Sequence, residues 1–273
     1  MKYKIEEINE EIAWHPEAFV EKCEAEYRQR VAGAAKAIMD NLGRSPVILL
    51  SGPSGAGKTT TARKIEEILD ASGIECHTIS MDNYFKTMNP KTAPRTPEGD
   101  IDYESPELLD MELLNEHFEA LAEHREIRIP YFMFARQKRS ASRFTTVRLG
   151  EGEIAIFEGI HALNDVITDK NPEAFGLYIS AMAEYEDADG TLWKPEWTRL
   201  MRRVVRDNNF RGADAVYTMQ LWENVMRGER AFIDPYIPKA RHRVDSTVTY
   251  ELALLRNKAL PQLAAVDEGM PGF

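Results

Sequence analysis

Gly52-Pro53-Ser54-Gly55-Ala56-Gly57-Lys58-Thr59 decides the fold: two glycines separated by four residues, then Lys and Thr, form a phosphate-binding pattern. Its neighbours supply the remaining parts. Val47-Ile48-Leu49-Leu50 ahead of it reads as a buried strand, and Thr59 to Leu69 behind it reads as a helix with Ile65, Ile68 and Leu69 on one face. Glycines at 52, 55 and 57 let backbone N–H groups face an anion, and the helix N-terminus favours negative charge at the same spot. Lys58 adds a mobile cation. Pro53, Ser54, Ala56 and Thr60 complete the expected cradle, and the Thr59 hydroxyl suits a magnesium ion bridging two phosphates. A strand, a phosphate loop and a helix in this order imply an α/β fold, a doubly wound and mostly parallel sheet with helices on both faces.

Composition narrows the class further. The 273 residues are 43% apolar, enough for a large core, and carry a formal net charge of −11. That balance argues against nucleic acid or an anionic membrane as partner. The two cysteines, Cys23 and Cys76, have neither metal-site spacing nor the density of a disulfide framework. With no apolar signal segment at Met1 to Glu7, the expectation is a soluble, cytoplasmic protein.

Ahead of the loop, residues 1–43 read as an N-terminal helical extension and 44–273 as the phosphate-loop domain. From Pro16 to Leu42 the apolar positions recur every three to four residues, which predicts one long amphipathic helix. It carries no chemistry of its own, and its apolar stripe expects the sheet or a second subunit of a homo-oligomer. After the loop helix, Ile74 to Ser80 predicts a strand that delivers Asp82 to the carboxyl edge of the sheet, where ligands of such folds bind. There a carboxylate can take a proton from a hydroxyl or hold magnesium. Residues 86–107 form an extended Pro-rich loop in which Asp100, Asp102 and Tyr103 cluster, with a carboxylate suited to sugar hydroxyls.

Ser105 reads as the cap of a helix reaching Glu123. Segments 127–134 and 144–149 predict a β-hairpin joined by the basic Arg136-Gln137-Lys138-Arg139, with an aromatic tip able to cover a flat ring. Strand 153–159 is apolar until Glu158, the position of a second magnesium contact. Another strand spans 175–180, and the acidic 184–190 segment reads as flexible. A helix over 196–208 bears Arg202, Arg203 and Arg206, clustered without interleaved acids, with Arg211 just beyond; they read as a phosphate clamp. A helix over 213–227 and a strand over 244–250 close the pattern. Glu158-Gly159 in place of Asp-x-x-Gly, and the lack of Asn-Lys-x-Asp, argue against a signalling GTPase.

Taken together, the phosphate loop, Ser-Met-Asp-Asn-Tyr-Phe at 80–85, Ile-Asp-Tyr at 101–103, Phe-Glu-Gly-Ile-His-Ala-Leu at 157–163 and Arg-Arg-Val-Val-Arg-Asp at 202–207 resemble the uridine kinase and phosphoribulokinase group of phosphate-loop kinases. The likeness runs from Pro46 to Tyr250 and is strongest to bacterial uridine kinase-like proteins. It implies ATP and Mg²⁺ as donor and cofactor, and a primary hydroxyl of a small acceptor, a nucleoside first, as target. Asp82 would be the base, assisted by Lys58, Arg203 and Arg206. Thr59, Glu158 and Asp82 would hold the metal. Asp82, Tyr84, Asp102, Phe132, Phe134, Gln137 and Arg203 would meet the acceptor, under an aromatic hairpin and a helical lid. Where the family's uridine kinases carry Tyr-Asp-Phe and a histidine in the hairpin, this chain has Phe132-Met133-Phe134 and Gln137. A non-nucleoside alcohol, a sugar phosphate, and a nucleotide-binding module without acceptor chemistry therefore stay open.

Overall fold

In chain order, β1 (Lys2–Lys4), α1 (Ile5–Trp14) and α2 (Pro16–Met39) precede β2 (Val47–Ser51), α3 (Lys58–Ala71) and β3 (Cys76–Ser80). Then come α4 (Met111–Ala122), the hairpin β4 (Ile127–Met133) and β5 (Lys138–Val147), β6 (Ile154–Glu158), α5 (Asp165–Thr168) and β7 (Phe175–Ser180). The chain ends with β8 (Glu184–Glu186), β9 (Leu192–Trp193), α6 (Pro195–Arg211), α7 (Ala215–Phe232), β10 (His242–Asp245) and α8 (Glu251–Leu263). This computed structural model describes residues 1–267; residues 268–273, the end of the expected 44–273 domain, lie outside them.

The central sheet has the order β10-β7-β2-β6-β3 with every pairing parallel. Its middle strands are buried on both faces, as parallel strands under helices must be. Ile48 and Leu50 of β2 point to one side, where Ala34, Ala35 and Ile38 of α2 and Ile65 and Leu69 of α3 cover them. Val47 and Leu49 point to the other, into a cluster with Leu114, Phe118 and Leu121 of α4 and Ile127 and Ile129 of β4. Among the described residues no helix is long and apolar enough to cross a membrane.

Four local expectations are corrected. Ser105 caps only a single 3₁₀ turn, Pro106–Leu108, and α4 starts later with Asp110 accepting the Leu113 N–H at 3.2 Å. Leu109 is buried and bridged to Phe85, which holds its backbone extended and delays the helix. The 184–190 segment is not a loose acidic stretch. Its Tyr185 is buried, and β8 pairs with β1 and with β9. The hairpin turn is confined to Phe134–Gln137, and Arg139 anchors β5 by donating to Asp110 Oδ2, Tyr84 O and Phe85 O. The last strand stops at Asp245, because that carboxylate turns back to accept from Thr247 N, Thr247 Oγ1 and Met182 N.

Phe157 of β6 is fully buried, edge-on to Phe118 at 4.5 Å and tilted against Tyr84 at 6.3 Å. Phe157→Ala should cost about 3–5 kcal/mol in urea unfolding with an unchanged m-value, and a loss below about 1 kcal/mol would show that this ring cluster does not hold the sheet.

Candidate active site

Three adjacent strand ends build the site. Leu50 lies opposite Glu158 across β2–β6, and Ser80 lies opposite Glu158 across β6–β3. The phosphate loop, Glu158 and the turn carrying Asp82 therefore leave the sheet at one level. Together they border a cleft of 1040 Å³.

The loop packs closely. A Cβ on Gly52 would lie 2.0 Å from the Ile179 carbonyl oxygen, and Gly55 has φ +74° with Arg199 O only 2.4 Å from where its Cβ would be. Residues 54–60 line the cleft, while Gly52 and Pro53 sit behind it and their carbonyls accept from Lys58 Nζ at 2.8 and 3.1 Å. Burial pulls the Lys58 ammonium below its usual value, opposed by the nearby Glu158 and Asp82 carboxylates. Burial also raises Asp82, against the pull of Lys58, Arg211 and Arg206.

Thr59 Oγ1 donates to Glu158 Oε1 at 2.9 Å. These two hard oxygens at the mouth of an amide cradle fit a hydrated divalent ion and a triphosphate in kind and position. From α6, Arg203, Arg206 and Arg211 reach the cleft, gathered by the buried Asp207 at 3.3, 2.8 and 3.6 Å. Arg203 Nη1 also donates to Ser54 Oγ at 2.9 Å, so the arginine helix touches the phosphate loop directly.

Phe132, Phe134 and Gln137 face the cleft as expected, and the Gln137 amide also donates to Phe134 O within its own turn. Two expected acceptor residues do not. Tyr84 is wholly buried, sharing a 2.8 Å hydrogen bond with His117 Nδ1. Residues 81–84 form a 3₁₀ turn, whose three-residue period buries Met81 and Tyr84 and presents Asp82 and Phe85 instead. Phe85, Phe132 and Phe134 then form a ring cage with centroids 5.1–6.2 Å apart. Asp102 is buried against Arg227 at 2.7 Å, and its Oδ1 accepts the Glu104 N–H at 3.1 Å. That side-chain turn carries Glu104, not Asp102, into the cleft. Burial pushes the Glu104 carboxyl up to about 7, against Arg203. The one signal for it in the sequence was a second acid two residues beyond Asp102.

A phosphate loop with opposed acids at the strand ends and arginines above it defines a phosphate-loop kinase, an ATP-dependent phosphotransferase acting on a small alcohol-bearing substrate. Residues 47–253 match the Phosphoribulokinase / Uridine kinase family, and the chain belongs to it. It is 30% identical over 227 residues to the uridine kinase of Halobacterium salinarum, covering 80% of this chain and 91% of that one. To the uridine kinase of Schizosaccharomyces pombe it is 29% identical over 200 residues, 70% of this chain but only 40% of that longer protein. A solved D-glycerate 3-kinase from Cryptococcus neoformans var. grubii superposes with a TM-score of 0.53 at 13% identity, over 75% of this chain and 88% of that one, and shares the fold.

A carboxyl raised by folding holds its proton more tightly in the native state. Its stabilising effect is complete below the unfolded value and is lost as pH rises through the folded one. Glu104→Gln should therefore gain stability relative to the native chain as pH rises towards about 7. Parallel urea titrations across that range would show no divergence if Glu104 titrated like an exposed acid.

Proposed function

We propose that this kinase transfers the γ-phosphoryl group of ATP to a primary hydroxyl of a nucleoside or similarly flat acceptor. The observation that carries the reading is the cleft itself, which faces Asp82, the phosphate loop and the arginines with a cage of Phe85, Phe132 and Phe134. These rings pack edge-on or tilted against one another, so a planar acceptor would lie against the face the cluster turns to the cleft, and Glu104 and Gln137, which line the same cleft, suit hydroxyls and a base edge.

In this reading the loop amides and Lys58 hold the β- and γ-phosphates. Thr59, Glu158 and Asp82 would hold magnesium, which supplies charge neutralisation on those phosphates when bound. Asp82 accepts the proton of the attacking hydroxyl, and its raised affinity for protons brings it nearer to working pH. Arg203 and Arg206, pre-ordered by Asp207, stabilise charge that develops on the transferred group. Glu104 orients an acceptor hydroxyl.

The apolar Phe132-Met133-Phe134 edge also favours a second reading, a non-nucleoside alcohol held mainly by the cage. Coupled ADP-release assays with nucleosides, sugar phosphates and simple alcohols separate the two. Asp82→Asn should keep ATP affinity while turnover drops about 10²–10⁴-fold. Near-native turnover in that variant removes Asp82 as the base.

A further inference from the structure

The cleft continues past the phosphate loop, on the side away from the phenylalanine cage. There Thr60 and Lys64, one turn apart on α3, face Glu24 and Tyr27 of α2 and Val248 and Tyr250 beyond β10. Of these elements, α2 lies wholly outside the stretch 47–253 that defines the family.

The α2 wall is fixed. Arg30 donates to the carbonyls of Asp245 and Thr247 at 2.9 and 2.5 Å, tying the helix to the segment after β10. Tyr27 shares a buried 2.7 Å hydrogen bond with Thr61 of α3. Tyr250 donates its hydroxyl to Glu24 Oε1 at 2.6 Å. Among the described residues no cation lies within ion-pair distance of Glu24, so its carboxylate keeps acceptor capacity toward the cleft.

A triphosphate held at the loop extends its ribose and base one way or the other. The cage, Asp82 and Glu104 occupy the acceptor side, which leaves the α2 side for the donor base. We propose that α2 completes the donor-nucleotide site, with Glu24 accepting a hydrogen bond from the 6-amino group of the donor purine. Tyr250 already engages one oxygen of this carboxylate, so the free one matches the single exocyclic amine of adenine better than the paired N–H edge of guanine.

The inference rests on the kinase reading but not on the acceptor, and direct binding tests it without turnover. Titration calorimetry would compare ATP with purine riboside triphosphate, which differs only by lacking the amine. The native chain should bind ATP about tenfold more tightly, the size of one hydrogen bond to a charged acceptor, and Glu24→Ala should make the two equal. Alanine keeps the helix, and any general damage lowers both affinities alike without moving their ratio. An unchanged ratio in Glu24→Ala, or GTP binding more tightly than ATP to the native chain, overturns the proposal.

Discussion

Everything in this molecule depends on one register: Leu50, Glu158 and Ser80 lie side by side across β2, β6 and β3. Because the strands are parallel, all three chains leave the sheet in the same direction at the same height, and the segments beyond their ends are forced into one space. After β2 comes the phosphate loop, after β3 the turn bearing Asp82, and β6 itself ends on Glu158. A slip of one residue in either ladder would turn Glu158 toward the opposite face and part it from Thr59.

A second constraint holds the arginines over the loop. Arg199 pairs with Glu229 of α7 at 2.7 and 2.8 Å in a buried setting, and its Nη1 also donates to Ser54 O. Removing either partner of such a pair leaves an uncompensated buried charge, so it fixes the pose of α6 more than it adds stability. About two turns on, Asp207 gathers Arg203, Arg206 and Arg211. A single carboxylate orders three guanidinium groups while leaving the cleft mouth positive.

How far the residues announced this varies with the range of the interaction. The loop, its flanking strand and α3 are local, and their periodicity is plain in the sequence. So are Asp82 and Glu158, because one follows a strand and the other ends an apolar one. What stayed hidden depends on distant partners. Tyr185 is a strand residue because Lys2–Lys4 lies on one side of it and Leu192–Trp193 on the other, and Ser105 fails to start a helix because Leu109 is claimed by Phe85. Asp102 and Glu104 look equivalent on paper; Arg227, far along the chain, decides which is neutralised and which faces the cleft. The period of α2 marks its buried stripe but says nothing of Glu24, whose carboxylate accepts from Tyr250 far along the chain.

Net charge is a poor guide to such a site. The chain carries −11 overall, yet the loop region gathers Lys58, Arg203, Arg206 and Arg211 within one cleft. In a concave, partly desolvated space the nearest charges dominate, and the distant surface acids are screened over about 10 Å at moderate salt. Local acids matter more, and they are divided by function. Asp207 is spent on arginines, Asp102 on Arg227, and Glu158 accepts from Thr59. Asp82 and Glu104 are cleft carboxyls that burial lifts toward neutrality. A polyanion can settle against the loop because Asp207 and Asp102 are matched by arginines and burial draws Asp82 and Glu104 toward protonation.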